Sequence, residues 1–202
     1  MAEYQIVQKL NPEKVDETFD DFAVSRGRER GNEKLYLVPL NHFSTESLNR
    51  LVTYYKQKTG IEAITAQPLP LRLAAIDNRR QQLVAEDIIE LMKRSYPKLL
   101  ADPNAILIGL TDEDMYIRGK SWQFAFSYRT QGRFAVVSSA RMNPVNFGAP
   151  ANDDLLDCRM RKMVLKNIGM LYYQLPGNHD PKSVLYSGVM ELKDLDNMGE
   201  DF

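Results

Sequence analysis

The chain is poor in the side chains that most often hold a metal ion or a covalent intermediate. It carries two histidines, His42 and His179, and one cysteine, Cys158. A lone cysteine excludes an internal disulfide and fits a reducing compartment. Two histidines cannot supply a three-histidine zinc site in any fold. Charge of one sign is not in excess either. The 26 basic and 27 acidic residues leave a formal net charge of −1, which argues against nucleic acid or an anionic membrane surface as partner. No apolar run reaches the roughly 18 residues that a membrane-spanning helix needs, and no N-terminal apolar stretch reads as a signal peptide. Internal repeats and low-complexity segments are absent. The expectation is a soluble, cytoplasmic protein.

What is present is enough for one sizeable core. Hydrophobic residues make up 44% of 202 positions, and one domain is the default for that length. Residues 1–33 are highly charged and weakly patterned, and read as a surface arm with a short helix near 11–22. The domain is expected over 34–202.

Leu35–Leu40 is a short apolar run that suits a buried strand. Ser44 or Thr45 caps a helix over about 46–58, with Leu48, Leu51, Val52 and Tyr55 on one face and Gly60 ending it. Ile61–Ala66 reads as a second strand, and Pro68–Leu71 as an extended linker. Asp77 is expected to open a second helix over 78–96, carrying Val84, Ile88, Leu91 and Met92. Ala105–Leu110 is a third buried strand, followed by the acidic turn Thr111–Asp114. Trp122–Tyr128 and Arg133–Ser139 read as a hairpin around Thr130-Gln131-Gly132. A third long helix runs over 153–174, with Met160, Val164, Ile168, Leu171 and Leu175 as its stripe and Asp153, Asp154 and Asp157 at its positive end. Val184–Val189 and an Asp-rich tail end the sequence. This order predicts an α/β fold: a mixed, mainly parallel twisted sheet of about five strands, an antiparallel edge strand and two crossover helices.

Several blocks in this order resemble the archaemetzincins, a branch of the metzincin zinc peptidases. They are Gln67-Pro68-Leu69-Pro70, Asp77–Gln82, Ile108–Tyr116, Gly132–Ser138 and Arg161-Lys162, and the resemblance spans about 34–198. It implies a zincin-like sheet, an active-site-type helix and a methionine turn. In metzincins that helix carries H-E-x-x-H-x-x-G-x-x-H. Residues four apart share a helix face, so two histidines reach one ion, and the glutamate between them is the general base. Laid on this sequence, the three histidine positions fall on Lys166, Met170 and Pro176, the glutamate on Asn167 and the glycine on Tyr173. Lysine is a poor ligand, asparagine is no carboxylate base, and methionine is soft and better suited to copper. The resemblance places the methionine turn at Ser187–Met190, with Met190 structural.

A three-residue shift would bring His179 to the third-ligand position, with Asp180 beside it, but one histidine and one aspartate are too few for a catalytic zinc. His42 reads as a surface or capping residue. Asp112, Glu113 and Asp114 read as an acidic turn, and Cys158 as a buried apolar residue. Lys166, Met170 and Tyr173 share a helix face and are expected to fill the former metal cavity, with Lys166 paired to an acid. No metal or other cofactor is expected.

By the same resemblance, the sheet edge would bind an extended segment through its main chain. The candidate edge is Trp122, Gln123, Phe124, Ala125 and Phe126. The leading expectation is therefore a catalytically inactive peptidase homologue that binds peptide or protein segments. An active hydrolase using other ligands, or a regulatory partner of an active protease, are the alternatives. Composition says nothing of oligomeric state.

Overall fold

Seven consecutive buried residues, Ala105–Thr111, form the central strand of the molecule. A strand buried on both faces needs cover on both, and the sequence supplies it as helices. The computed structural model describes residues 33–71, 75–130 and 132–202. The N-terminal arm expected over 1–33 lies outside them apart from Glu33.

In sequence order the elements are β1 (Lys34–Pro39), α1 (Thr45–Thr59), β2 (Ala63–Thr65), β3 (Ile76–Asp77), β4 (Gln82–Val84), α2 (Ala85–Ser95), α3 (Pro97–Ala101), β5 (Ala105–Thr111), β6 (Met115–Tyr116), β7 (Ser127–Thr130), β8 (Phe134–Ser138), α4 (Asp153–Leu171) and α5 (Leu192–Asn197). The main sheet runs β2-β1-β5-β8-β7. All its pairs are parallel except β7–β8, so β7 is an antiparallel edge. A smaller sheet, β3-β4-β6, lies beside it.

Alternation in the strands divides the core into two. Leu35, Leu37, Ile106, Ile108, Ala135 and Val137 face α1 and α4. Val38, Leu107, Phe134 and Val136 face α2, whose Ile88, Ile89 and Met92 are fully buried. Period two in the strands and period 3.6 in the helices make this layering from sequence alone. α1 is closed as expected: the Ser44 hydroxyl accepts from the Ser47 N–H at 3.3 Å, and Gly60 ends the helix at φ 72°.

Four expectations are corrected. The second helix starts at Ala85 rather than near 78. The Asp77 carboxylate accepts from the Arg79 and Arg80 N–H groups at 2.9 and 3.3 Å, closing a turn that competes with the helix and returns the backbone into β4. The edge strand begins at Ser127, so Trp122–Phe126 precedes the ladder of β7 with β8. Val184–Val189 is not a strand; its strand-like pairing among the described residues is the isolated bridge between Asn178 and Tyr186. The Asp-rich tail contains α5, closed by reciprocal bonds between Glu191 and Asp194.

Among the described residues, no helix is long and apolar enough to cross a membrane.

Candidate functional site

α4 is the longest helix among the described residues and the least ordinary one. Asn152 caps it, its Oδ1 accepting from the Leu155 N–H at 3.0 Å, and Asp153 and Asp154 sit in its first turn. Its stripe of Met160, Val164, Ile168 and Leu171 is buried against the sheet, as the periodicity predicts. Yet Arg159, Lys162, Lys166 and Asn167 are also buried. Buried polar groups need partners, and the partners define the site.

Lys166 is 5% exposed, and its Nζ donates to the backbone carbonyl of Tyr186. The expected acid partner is corrected: the acceptor is neutral. Burial lowers the lysine to about pKa 7, with the charge of Arg129 on β7 adding to the effect. Asn167 is fully buried. Its Nδ2 donates to the Ser127 Oγ and the Met163 carbonyl, both at 2.8 Å, and its Oδ1 has no hydrogen-bond partner among the described residues. Two neighbouring residues of α4 therefore act as struts, one to the segment around Tyr186 and one to the first residue of the edge strand.

Met170 and Tyr173 are half-buried, and Tyr173 stacks edge-to-face on Tyr172 and Phe202 at 5.0 and 5.2 Å. The helix ends at Leu171, and the backbone turns through Gln174 at φ 55°, one residue beyond the position where metzincins place glycine. Pro176 and His179 are exposed, as is His42. Met190 is corrected: it is 54% exposed, next to α5, so it does not pack beneath the helix as a methionine turn requires. Val184 and Leu185 supply the buried apolar contacts of that segment instead.

The loop before β7 is held by residues from other elements. Arg80 donates to the carbonyls of Trp122 and Gln123 at 3.3 and 2.8 Å, and Gln82 donates to Gln123 at 2.9 Å. Asp114 accepts from Gln82 at 2.9 Å and pairs with Arg141 at 2.5 Å. The acidic turn is thus a scaffold, as its residue types suggest. Trp122 and Phe124 are half-buried, Ala125 and Phe126 are buried, and Gln123 is exposed.

Sequence reading missed the tie between α4 and α5. Arg159 grips Asp196 through two bonds of 2.7 Å, and Lys162 donates to the carbonyls of Leu195 and Asp196 at 3.3 and 2.8 Å. Basic residues on an apolar helix ahead of an Asp-rich tail were the available signal. Cys158 is also corrected: it is half-buried, and its thiol donates to Glu200 at 3.2 Å.

Three solved structures share this fold. The archaemetzincin of Archaeoglobus fulgidus, solved with malonate, superposes with a TM-score of 0.66 at 20% identity, covering 84% of this protein and 94% of that one. A zinc-dependent peptidase from Methanocorpusculum labreanum gives 0.69 at 18%, covering 83% and 95%. The archaemetzincin of Methanopyrus kandleri gives 0.63 at 21%, covering 86% and 91%. No family model matches the sequence, and no curated protein does. The fold is archaemetzincin-like, as the sequence blocks imply.

That fold implies zinc, but the residues that the sequence resemblance sets at the motif positions do not suit it. Lys166 and Asn167 are spent on the struts, Pro176 has no donor atom beyond its backbone, and Met170 offers only a thioether. Among the described residues, no three His, Cys, Asp or Glu residues converge as a metal-holding group.

Proposed function

We propose that this protein is a non-catalytic relative of the zinc peptidases of its fold, binding extended peptide or protein segments along β7. One observation carries the reading. Lys166 and Asn167, which the archaemetzincin resemblance sets at the first-ligand and general-base positions, are buried and bonded to protein groups, whereas a peptidase needs a metal ligand and a carboxylate there.

The geometry of β7 supports the binding half. The Ser138 N–H donates to the Phe126 carbonyl at 2.9 Å, and the register continues as Tyr128↔Val136 and Thr130↔Phe134. Antiparallel pairing alternates. Phe126, Tyr128 and Thr130 therefore turn their main-chain groups to β8, while Ser127 and Arg129 direct theirs outward. An added strand would bond there, by backbone alone and without any metal. The candidate edge thus moves from Trp122–Phe126 to Ser127–Thr130, with the earlier loop as its rim.

Elemental analysis of the purified protein tests the first half. Well under one zinc per molecule is expected, and near-stoichiometric zinc would overturn it. Binding to an array of extended peptides tests the second. Ser127→Pro removes an outward N–H and is expected to abolish binding, whereas Ser127→Ala keeps that N–H and retains it. Chelator-sensitive hydrolysis of the same peptides would establish an enzyme instead.

A further inference from the structure

We infer that the edge is selective for segments bearing a carboxylate, which Lys166 receives through its ammonium. This rests on the reading of β7 as a peptide-binding edge and names the chemistry of what binds there.

The placement comes from the struts. Asn167 bonds to Ser127 at 2.8 Å, so the α4 backbone at Lys166–Asn167 is fixed against the first residue of the edge strand. Lys166 therefore sits beside the strand that an incoming segment would join. Among the described residues no carboxylate pairs with its ammonium. The hydrogen-bond acceptor is the Tyr186 carbonyl, and the charged group that acts on it is another cation, Arg129, two residues along β7 from Ser127. A buried ammonium facing a neutral oxygen is costly, because burial removes its water and the described residues return no anion. A carboxylate brought in by a ligand supplies that anion and restores the charged form. An amide of the same shape does not. Met170, one helical turn on, and Tyr186 are half-buried, so the surroundings of Lys166 reach solvent.

Two sources could provide the carboxylate: an Asp or Glu residue within the segment, or the free α-carboxylate at its end. Matched strand-forming peptides of alternating threonine and valine separate them. One has a central glutamate and an amidated end, one a central glutamine and an amidated end, and one a central glutamine and a free end. With the full-length protein, a carboxylate-bearing peptide is expected to bind about tenfold tighter than the amidated glutamine peptide, the scale of one charge-assisted hydrogen bond. Lys166→Met is expected to erase that difference while keeping the affinity for the glutamine peptide. Equal affinities in the unaltered protein, or selectivity that persists in Lys166→Met, would overturn the inference and leave edge binding standing. If none of the peptides binds, the edge reading fails. The lysine is then read directly by the NMR shift of its Cε on adding propionate: a saturable shift at Lys166 keeps the carboxylate site, and no shift overturns it.

Discussion

Lys166 is 5% exposed and bonds to a neutral carbonyl, so folding strips water from its ammonium and no described residue supplies an anion. Its folded value of about 7 lies below the ordinary 10.5. Between those values the unfolded state holds a proton that the folded state sheds, so stability rises with pH across that window. Below pH 7 both states are protonated and the full penalty applies. Lys166→Met is therefore expected to stabilise the fold at neutral pH by on the order of 2–4 kcal/mol and to flatten the rise between pH 7 and 10.5. Urea unfolding across that window is the check; a variant less stable than the parent would contradict it. Asn167 makes the opposite case. Asn167→Leu strands the Ser127 hydroxyl and is expected to cost about 1–3 kcal/mol in the same assay.

At the scale of elements, β5 and α2 approach so closely that a substituent on Gly109 has no room. A Cβ there would lie 2.9 Å from Met92 Sδ and 3.0 Å from Leu40 Cδ1. Gly109→Val is expected to destabilise by about 1–3 kcal/mol, read by thermal unfolding. The segment after α5 is clasped to α1 and α4 through Glu200. Burial pushes that carboxyl up, but hydrogen bonds from Tyr54, Arg161 and Cys158 outweigh it and hold it at about 2. A depressed carboxylate contributes stability above its ordinary 4.5, lost as pH falls toward 2. Glu200→Gln is expected to lower the melting temperature at neutral pH and to remove a share of the acid-induced loss in that range. Elements with strong local signals were legible in sequence: α1 with its Ser44 cap, the apolar β5, and the stripe of α4. The start of α2 was not, because Asp77 caps a turn as readily as a helix. Nor was α5, which is tied down by Arg159 and Lys162 from more than thirty residues earlier in the sequence.

For the whole molecule, two apolar layers and direct struts from Lys166 and Asn167 hold α4 against the sheet and the 184–187 segment, with no described group that calls for a metal in that task. Chelation is therefore expected to leave the melting temperature unchanged. A drop of several degrees on adding EDTA would reveal a bound ion that stabilises the folded state.

The sequence by itself determined the strand and helix periodicities, and with them the layered α/β fold, because alternation and 3.6-residue spacing are local properties. It also supplied the identities of the residues that the archaemetzincin resemblance sets at the ligand and base positions, since identity needs no coordinates. Only the tertiary structure decided what those residues do. Lys166 meets the Tyr186 carbonyl rather than an acid, Asn167 meets Ser127 forty residues away, and Met190 lies at the surface rather than beneath the helix. Each depends on how distant segments converge, and burial and partner choice are set by that convergence, not by neighbours in the sequence.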